Sequence, residues 1–164
     1  MKDEKKQIAL ALIGQPGVGK STIVRLIDET VESRGTTYVI ETDAVRYTFW
    51  ELQTSSYEPE RLSIFSTSFL NESIPYNRYL LIVTNSTQED VNQLKYSKRY
   101  LRSLFPKTKF GIIANMQDLK DRLNRTRIEK MTSLPTLEIS AINESHRSRL
   151  INFISYLINS ESGL

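Results

Sequence analysis

Near the start of the chain, eight consecutive residues fit the phosphate-binding pattern G-x-x-x-x-G-K-[ST], namely Gly14, Gln15, Pro16, Gly17, Val18, Gly19, Lys20 and Ser21. In this pattern, glycines let backbone N–H groups wrap a phosphate, and the Lys ammonium bridges the β- and γ-phosphates. The Ser21 hydroxyl would ligate Mg²⁺, and Thr22 adds a hydroxyl for the α-phosphate. Apolar periodicity predicts a strand before the motif and a helix after it, which favours a nucleoside triphosphate site over a solvated turn.

A second group of polar residues, Asn115-Met116-Gln117-Asp118, directly follows an apolar run that predicts another buried strand. It resembles the Asn-Lys-x-Asp guanine motif of the Ras-like small GTPases. The longer stretch from Ala114 to Leu119 is similar to the Ala-Asn-Lys-Gln-Asp-Leu of the Arf-like branch. Ser140-Ala141 resembles the Ser-Ala pair that closes over the base. The resemblance extends from residue 8 to residue 158 and implies a P-loop NTPase fold that binds GTP or GDP with Mg²⁺.

The base site that the resemblance implies consists of Asn115, Met116, Asp118, Ser140, Ala141 and Ile142. An ionised Asp118 would accept the parallel N1–H and N2–H₂ donors of guanine, a pair that adenine lacks. Asn115 would tie this loop to the phosphate loop, and the Ala141 N–H would meet guanine O6. Met116 replaces the family Lys without its charge, so we expect weaker nucleotide affinity. The alternative is that Asn115 and Asp118 only cap the following helix.

The family's hydrolytic motif is degenerate in this chain. Where the family has Asp-x-x-Gly followed by Gln, the chain has Glu51, Thr54 and Ser55. Glu51 keeps a carboxylate for outer-shell contact with Mg²⁺, but Ser55 is too short to position water as Gln does. Gln53 is nearby but two residues early. No catalytic residue is therefore identified, and we expect weak or absent intrinsic hydrolysis.

The first switch of the family has two candidate counterparts in this chain. The family places a Mg²⁺-ligating Thr between the first helix and the next strand, where this chain has only Arg34-Gly35-Thr36-Thr37. Thr37 is the preferred candidate because it lies nearer the strand. The alternative is that both threonines simply begin a strand. The segment 52–78 is long and rich in aromatic residues, which favours a helix packed on the sheet together with a surface for a protein effector or regulator.

The hydrophobic pattern predicts one α/β domain over residues 1–164. Its six-stranded, mostly parallel sheet has one antiparallel strand and helices on both faces. The predicted strands are Gln7–Ile13, Thr37–Ile40, Val45–Glu51, Tyr79–Val83, Lys109–Ala114 and Thr136–Ser140. Helices are predicted over 22–33 and 119–130, around Leu62–Phe69 and Leu94–Leu104, and at Leu150–Ile158.

Composition narrows the class of site further. The chain has no Cys and one His, His146, so thiolate and multi-His metal sites are excluded, and His146 has no evident partner in the sequence. The net charge of +3 does not by itself indicate nucleic acid. No apolar run is long enough to span a bilayer. We expect a cytoplasmic protein with no direct membrane anchor, acting either as a slow GTP-hydrolysing switch or as a non-hydrolysing guanine-nucleotide scaffold.

Overall fold

The computed structural model describes residues 4–52, 57–71 and 76–160. Its strands are β1 (Lys6–Ile13), β2 (Ser33–Arg34), β3 (Thr37–Glu41), β4 (Val45–Glu51), β5 (Asn77–Thr84), β6 (Lys109–Ala114) and β7 (Thr136–Glu138). Its helices are α1 (Lys20–Ile27), α2 (Pro59–Phe69), α3 (Gln88–Leu104), α4 (Arg125–Thr132) and α5 (Arg147–Asn159), and a short 3₁₀ turn, Glu144–His146, precedes α5.

All the described strands join one sheet in the order β2-β3-β4-β1-β5-β6-β7. Pairing is parallel from β4 through β1, β5 and β6 to β7, and antiparallel between β2 and β3 and between β3 and β4. The α/β class and the mostly parallel sheet are therefore confirmed. The parallel strands all end at one edge of the sheet, here called the carboxyl edge, where ligands of such sheets usually bind.

The central strand β1 shows why the apolar runs are nearly continuous. Ile8, Leu10 and Leu12 pack under α1 and α5, whereas Ala9, Ala11 and Ile13 pack on the opposite side under α2, α3 and α4. All six side chains are at most 1% exposed. Because helices cover both faces of the sheet, neither side of β1 tolerates polar side chains. Among the described residues, none of the helices combines the length and apolarity needed to cross a membrane.

The prediction of six strands is wrong, because the connection after α1 contains a seventh, β2. The helix predicted over 22–33 ends at Ile27. There, the Asp28 carboxylate accepts hydrogen bonds from the Thr30 N–H (2.9 Å) and the Thr30 hydroxyl (2.7 Å). Such local bonds compete with helical backbone bonds. Gly35 lies in the β2–β3 turn with φ +69°.

The boundaries of two later elements also differ from the prediction. The helix expected over 119–130 begins at Arg125, because Asn124 caps it by accepting a hydrogen bond from the Arg127 N–H at 2.9 Å. The strand expected at 136–140 ends at Glu138. Residues 139–141 lead into the loop at the carboxyl edge, and the Ile139 N–H still donates to the Ala114 carbonyl oxygen of β6 at 3.0 Å.

The β2–β3 turn gives a test of the hairpin. We expect Gly35→Ala to lower the free energy of unfolding by about 1 kcal/mol, because a Cβ disfavours the left-handed conformation. In the described part of the chain, no atom outside the adjacent residues lies within 4 Å of the added Cβ, so the cost is conformational rather than steric. Gly35→Asn should cost less than half as much, since Asn tolerates this conformation. Urea unfolding of both variants measures the difference; equal losses would contradict the assigned turn.

Candidate functional site

The phosphate-loop motif forms the connection between β1 and α1. Gly19, just before α1, has φ +97°. A Cβ at this position would lie 2.4 Å from Asn115 Nδ2, so no other residue fits without moving the Asn115 side chain. Val18 is 1% exposed and anchors the loop in the core beneath α1. The loop is thus held in place by packing and by a contact with the second motif.

Lys20 lies folded into this loop. Its side chain is buried, and Nζ donates hydrogen bonds to the carbonyl oxygens of Gly14 (2.8 Å) and Gln15 (3.0 Å). Burial lowers the pKa of Lys20, and the carboxylates of Glu51 and Asp90 oppose that shift. The ammonium is therefore held by two neutral acceptors, which an incoming phosphate oxygen would outcompete as a charge-assisted partner.

The carboxamide of Asn115 connects three segments at the carboxyl edge. Nδ2 donates to the Val18 carbonyl oxygen at 2.8 Å, and Oδ1 accepts from the Ala141 N–H at 2.8 Å. Asn115 follows β6 and is 3% exposed. The predicted tie between the two motifs is therefore present. It also occupies the Ala141 N–H, which would have to be shared or released for guanine O6 to bind there.

Asp118 occupies the outer part of the same loop. Its backbone N–H donates to the Ser140 hydroxyl at 3.0 Å, and its side chain is exposed. Helix α4 is capped by Asn124 rather than by Asn115 or Asp118, so the capping alternative is wrong. Within the described ranges the Asp118 carboxylate has no hydrogen-bond partner, which leaves both oxygens available to a ligand.

The segment after β7 contains the remaining predicted base-site residues. The Ser140 N–H donates to His146 Nδ1 at 2.9 Å, so His146 has a partner that the sequence did not reveal. This bond folds residues 140–146 back against the start of α5. Ala141 is buried, whereas Ile142 is 78% exposed and lies next to it. Met116, in the opposite loop, is half-buried with φ +62°.

Two of the three predicted Mg²⁺ ligands converge on one buried hydroxyl. Tyr38 Oη donates to Glu51 Oε2 at 3.1 Å and lies near the Ser21 side chain. Burial and the Glu51 carboxylate raise the pKa of Tyr38. Thr37, the third predicted ligand, instead donates from Oγ1 to the Arg34 carbonyl oxygen at 3.1 Å. Thr36 accepts a hydrogen bond from the Glu51 N–H at 2.8 Å through its carbonyl oxygen.

The Ser21 hydroxyl and the Glu51 carboxylate are hard oxygen donors, which suit Mg²⁺. In proteins this ion usually keeps water and phosphate oxygens as most of its ligands. Across the described part of the chain, no group of three or more His, Cys, Asp or Glu residues could hold a metal ion. One hydroxyl and one carboxylate are a donor set that suits a cation whose other ligands are water or phosphate.

Asp90 is a functional candidate that the sequence argument missed. It is 5% exposed, and its Oδ2 accepts from the Thr84 hydroxyl (2.6 Å) and from the Asn85 N–H (3.2 Å). Asp90 also acts electrostatically on Lys20. The Thr87-x-x-Asp90 spacing indicates the start of α3, where the Thr87 hydroxyl accepts from the Asp90 N–H at 3.2 Å, but no sequence pattern indicates that Asp90 lies near Lys20.

The hydrolytic segment cannot be placed in this site. Gln53, Thr54 and Ser55 lie outside the described residues.

No protein-family model matches the chain, and no curated protein matches it either.

The Asn115 contacts predict a specific loss of stability. We expect Asn115→Ala to lower the free energy of unfolding by about 2–4 kcal/mol, because it leaves the Val18 carbonyl and the Ala141 N–H without their partner. Asn92→Ala is the matched control. Asn92 is half-buried on α3, where its side chain bonds Gln88, so the change should stay within about 0.5 kcal/mol. Urea titration compares the two, and similar losses would refute the bridging role.

Proposed function

We propose that this chain binds guanine nucleotide at the carboxyl edge of its sheet and acts as a slow molecular switch related to the Arf-like branch of the Ras superfamily. The observation that carries the proposal is the double hydrogen bond of Asn115, to Val18 and Ala141. It holds the phosphate-binding loop, the Asp118 loop and the Ser140-Ala141 segment together. The strand order, with β1 between β4 and β5, further supports a phosphate loop at the centre of the sheet.

The phosphates would bind where Lys20 now contacts the Gly14 and Gln15 carbonyls. Exchange of these acceptors for phosphate oxygens gains a charge-assisted bond for an ammonium that burial disfavours. The N-terminus of α1 adds backbone N–H groups and a partial positive charge. Mg²⁺, when bound, would supply charge neutralisation between the β- and γ-phosphates, with Ser21 and Glu51 as the residues of this chain that hold it.

The base would be read by Asp118, whose exposed carboxylate matches the two donors of guanine. Met116 would provide an apolar wall, and the Ala141 N–H would meet O6 if it exchanges its bond to Asn115. The nucleotide is the proposed ligand, and a protein effector or regulator at the switch regions is the proposed partner. The proposed location is the cytoplasm.

A second candidate function has structural support of its own. In a switch, the hydroxyl of Thr36 or Thr37 would report the γ-phosphate. In this structure the Thr37 hydroxyl bonds the Arg34 carbonyl oxygen within the β2–β3 hairpin, and the Thr36 carbonyl oxygen bonds the Glu51 N–H of β4. This arrangement favours the alternative in which guanine nucleotide is a structural cofactor and the chain is a scaffold or a subunit of a larger assembly. The two functions share the nucleotide site and differ in turnover.

Base choice tests the shared part of the proposal. We expect titration calorimetry to show binding of GTP or GDP and no comparable binding of ATP. Asp118→Asn should lower the preference for guanosine over xanthosine nucleotides by roughly two orders of magnitude, because the amide donates where the carboxylate accepted. Asp121→Asn, an exposed change in the same loop, is the control and should leave base choice unchanged. Equal uptake of ATP and GTP would reject the guanine site.

Turnover separates the switch from the scaffold. In a single-turnover assay with GTP and Mg²⁺, the switch predicts slow phosphate release over hours. The Lys20→Met variant gives the background rate of phosphate release. It should abolish triphosphate binding while leaving the free energy of unfolding unchanged or higher, because it removes a buried ammonium. If wild-type protein binds GTP but releases phosphate no faster than the Lys20→Met variant, the result favours the scaffold.

A further inference from the structure

Charge is distributed very unevenly along the chain. Residues 95–130 contain eleven Lys or Arg and three Asp or Glu, a net charge of +8. Residues 28–60 contain eight Asp or Glu and two Arg, a net charge of −6. The whole chain carries only +3, so its formal net charge conceals two strongly and oppositely charged parts.

The fold places most of these two parts at opposite ends of the sheet. They touch at the start of α2, where Tyr100 Oη donates to the Pro59 carbonyl oxygen at 3.0 Å. Residues 28–60 include β2, β3 and β4 at one end of the strand order, whereas residues 95–130 include most of α3, then β6 and α4, towards the other end. Four strand spacings separate β3 from β6, roughly 19 Å. That distance exceeds the Debye length of about 8 Å at physiological salt. Charges at the β3 end of the sheet are therefore largely screened from charges at the β6 end of the same molecule.

The basic part is presented by two adjacent helices. Helix α3 buries Leu94 and Leu101 and leaves Lys95 and Arg99 exposed, with the Tyr96 ring 81% exposed between them. Lys98 joins α3 to α4 by donating to the Thr132 carbonyl oxygen at 2.6 Å.

On α4, Arg127 and Lys130 are exposed. Lys95, Arg99, Arg127 and Lys130 are here called the basic face. Among the described residues, none of the four has an ion-pair partner.

The acidic part lies at the opposite end of the sheet. Glu29 and Glu32 are exposed on the connection that leads from α1 into the edge strand β2, and Asp43 is exposed in the β3–β4 turn. Glu29, Glu32 and Asp43 are here called the acidic edge. Over the ranges that the structure describes, these three carboxylates form no salt bridge, in contrast to the neighbouring Glu41, which pairs with Lys5 at 3.4 Å and with Arg46 at 3.3 Å.

We propose that the acidic edge of one molecule docks on the basic face of a second copy of this chain. The acidic edge complements the basic face in sign and in approximate number of charges. Because the two surfaces lie at opposite ends of the sheet, they cannot meet within one molecule. Such a contact is head-to-tail, so it repeats and builds a ring or an open filament rather than a closed two-fold dimer. Opposite charges steer the encounter, and exposed ion pairs are individually weak, so the association depends on salt.

Neutralising each surface separately tests this contact. The first variant combines Lys95→Gln, Arg99→Gln and Arg127→Gln; the second combines Glu29→Gln, Glu32→Gln and Asp43→Asn. In sedimentation experiments on the full chain, wild-type protein should grow in mass with concentration at about 0.1 M salt and return towards monomer at about 1 M. Each variant alone should remain monomeric. An equimolar mixture should form a species of two chains that grows no further, because only one complementary pair of surfaces remains.

A matched control carries Glu144→Gln and Arg149→Gln, two exposed changes outside both surfaces, and should associate like wild type. All the substituted side chains are exposed, and far-UV circular dichroism verifies that each variant is folded. A wild-type protein that is monomeric at low salt would overturn the proposal. So would association unaffected by either triple variant. Salt-sensitive binding to an RNA homopolymer or to anionic vesicles without self-association would assign the basic face to another class of partner and would equally overturn it.

Discussion

The carboxamide of Asn115 is the interaction on which the carboxyl edge depends. It provides one donor to Val18 and one acceptor to Ala141, a combination that a carboxylate of the same size lacks. The contact also explains Gly19, since a Cβ there would collide with Asn115 Nδ2. Two motifs almost a hundred residues apart are thus interlocked at the atomic level, and the loss of either one disturbs the other.

The same edge contains three buried charged side chains, and burial of charge is energetically unfavourable. Lys20, Glu51 and Asp90 are all at most 6% exposed. Among the described residues, Lys20 Nζ bonds only the carbonyl oxygens of Gly14 and Gln15, and the two carboxylates act on it through space. Burial of an ammonium without a bonded counter-ion lowers the stability of the free protein. That cost is reasonable for a group whose partner is a bound anion, because the ammonium is already in place and only exchanges its two carbonyl partners on binding.

The sequence predicted best the parts of the fold that depend on long apolar runs and on motifs. Strand β6 has the predicted boundaries, and α3 ends just before Pro106, as expected. The prediction from sequence was wrong or silent where a short polar contact determines where an element ends or how a loop folds. The Asp28–Thr30 bonds end α1 before its apolar stripe runs out, and Ser140 and His146 pair through a backbone N–H that no side-chain pattern encodes.

The β2–β3 hairpin determines how the site can respond to a ligand. A switch requires two loop arrangements with different affinities for the nucleotide. Here the hairpin is held closed by the two-residue strand β2 and the Thr37–Arg34 contact, and the Thr36 carbonyl oxygen bonds it to the Glu51 N–H of β4. At about 1 kcal/mol net for each hydrogen bond, opening this hairpin costs only a few kcal/mol. A ligand must favour the open form by at least that amount, whereas a scaffold that binds nucleotide in the closed form needs no such difference.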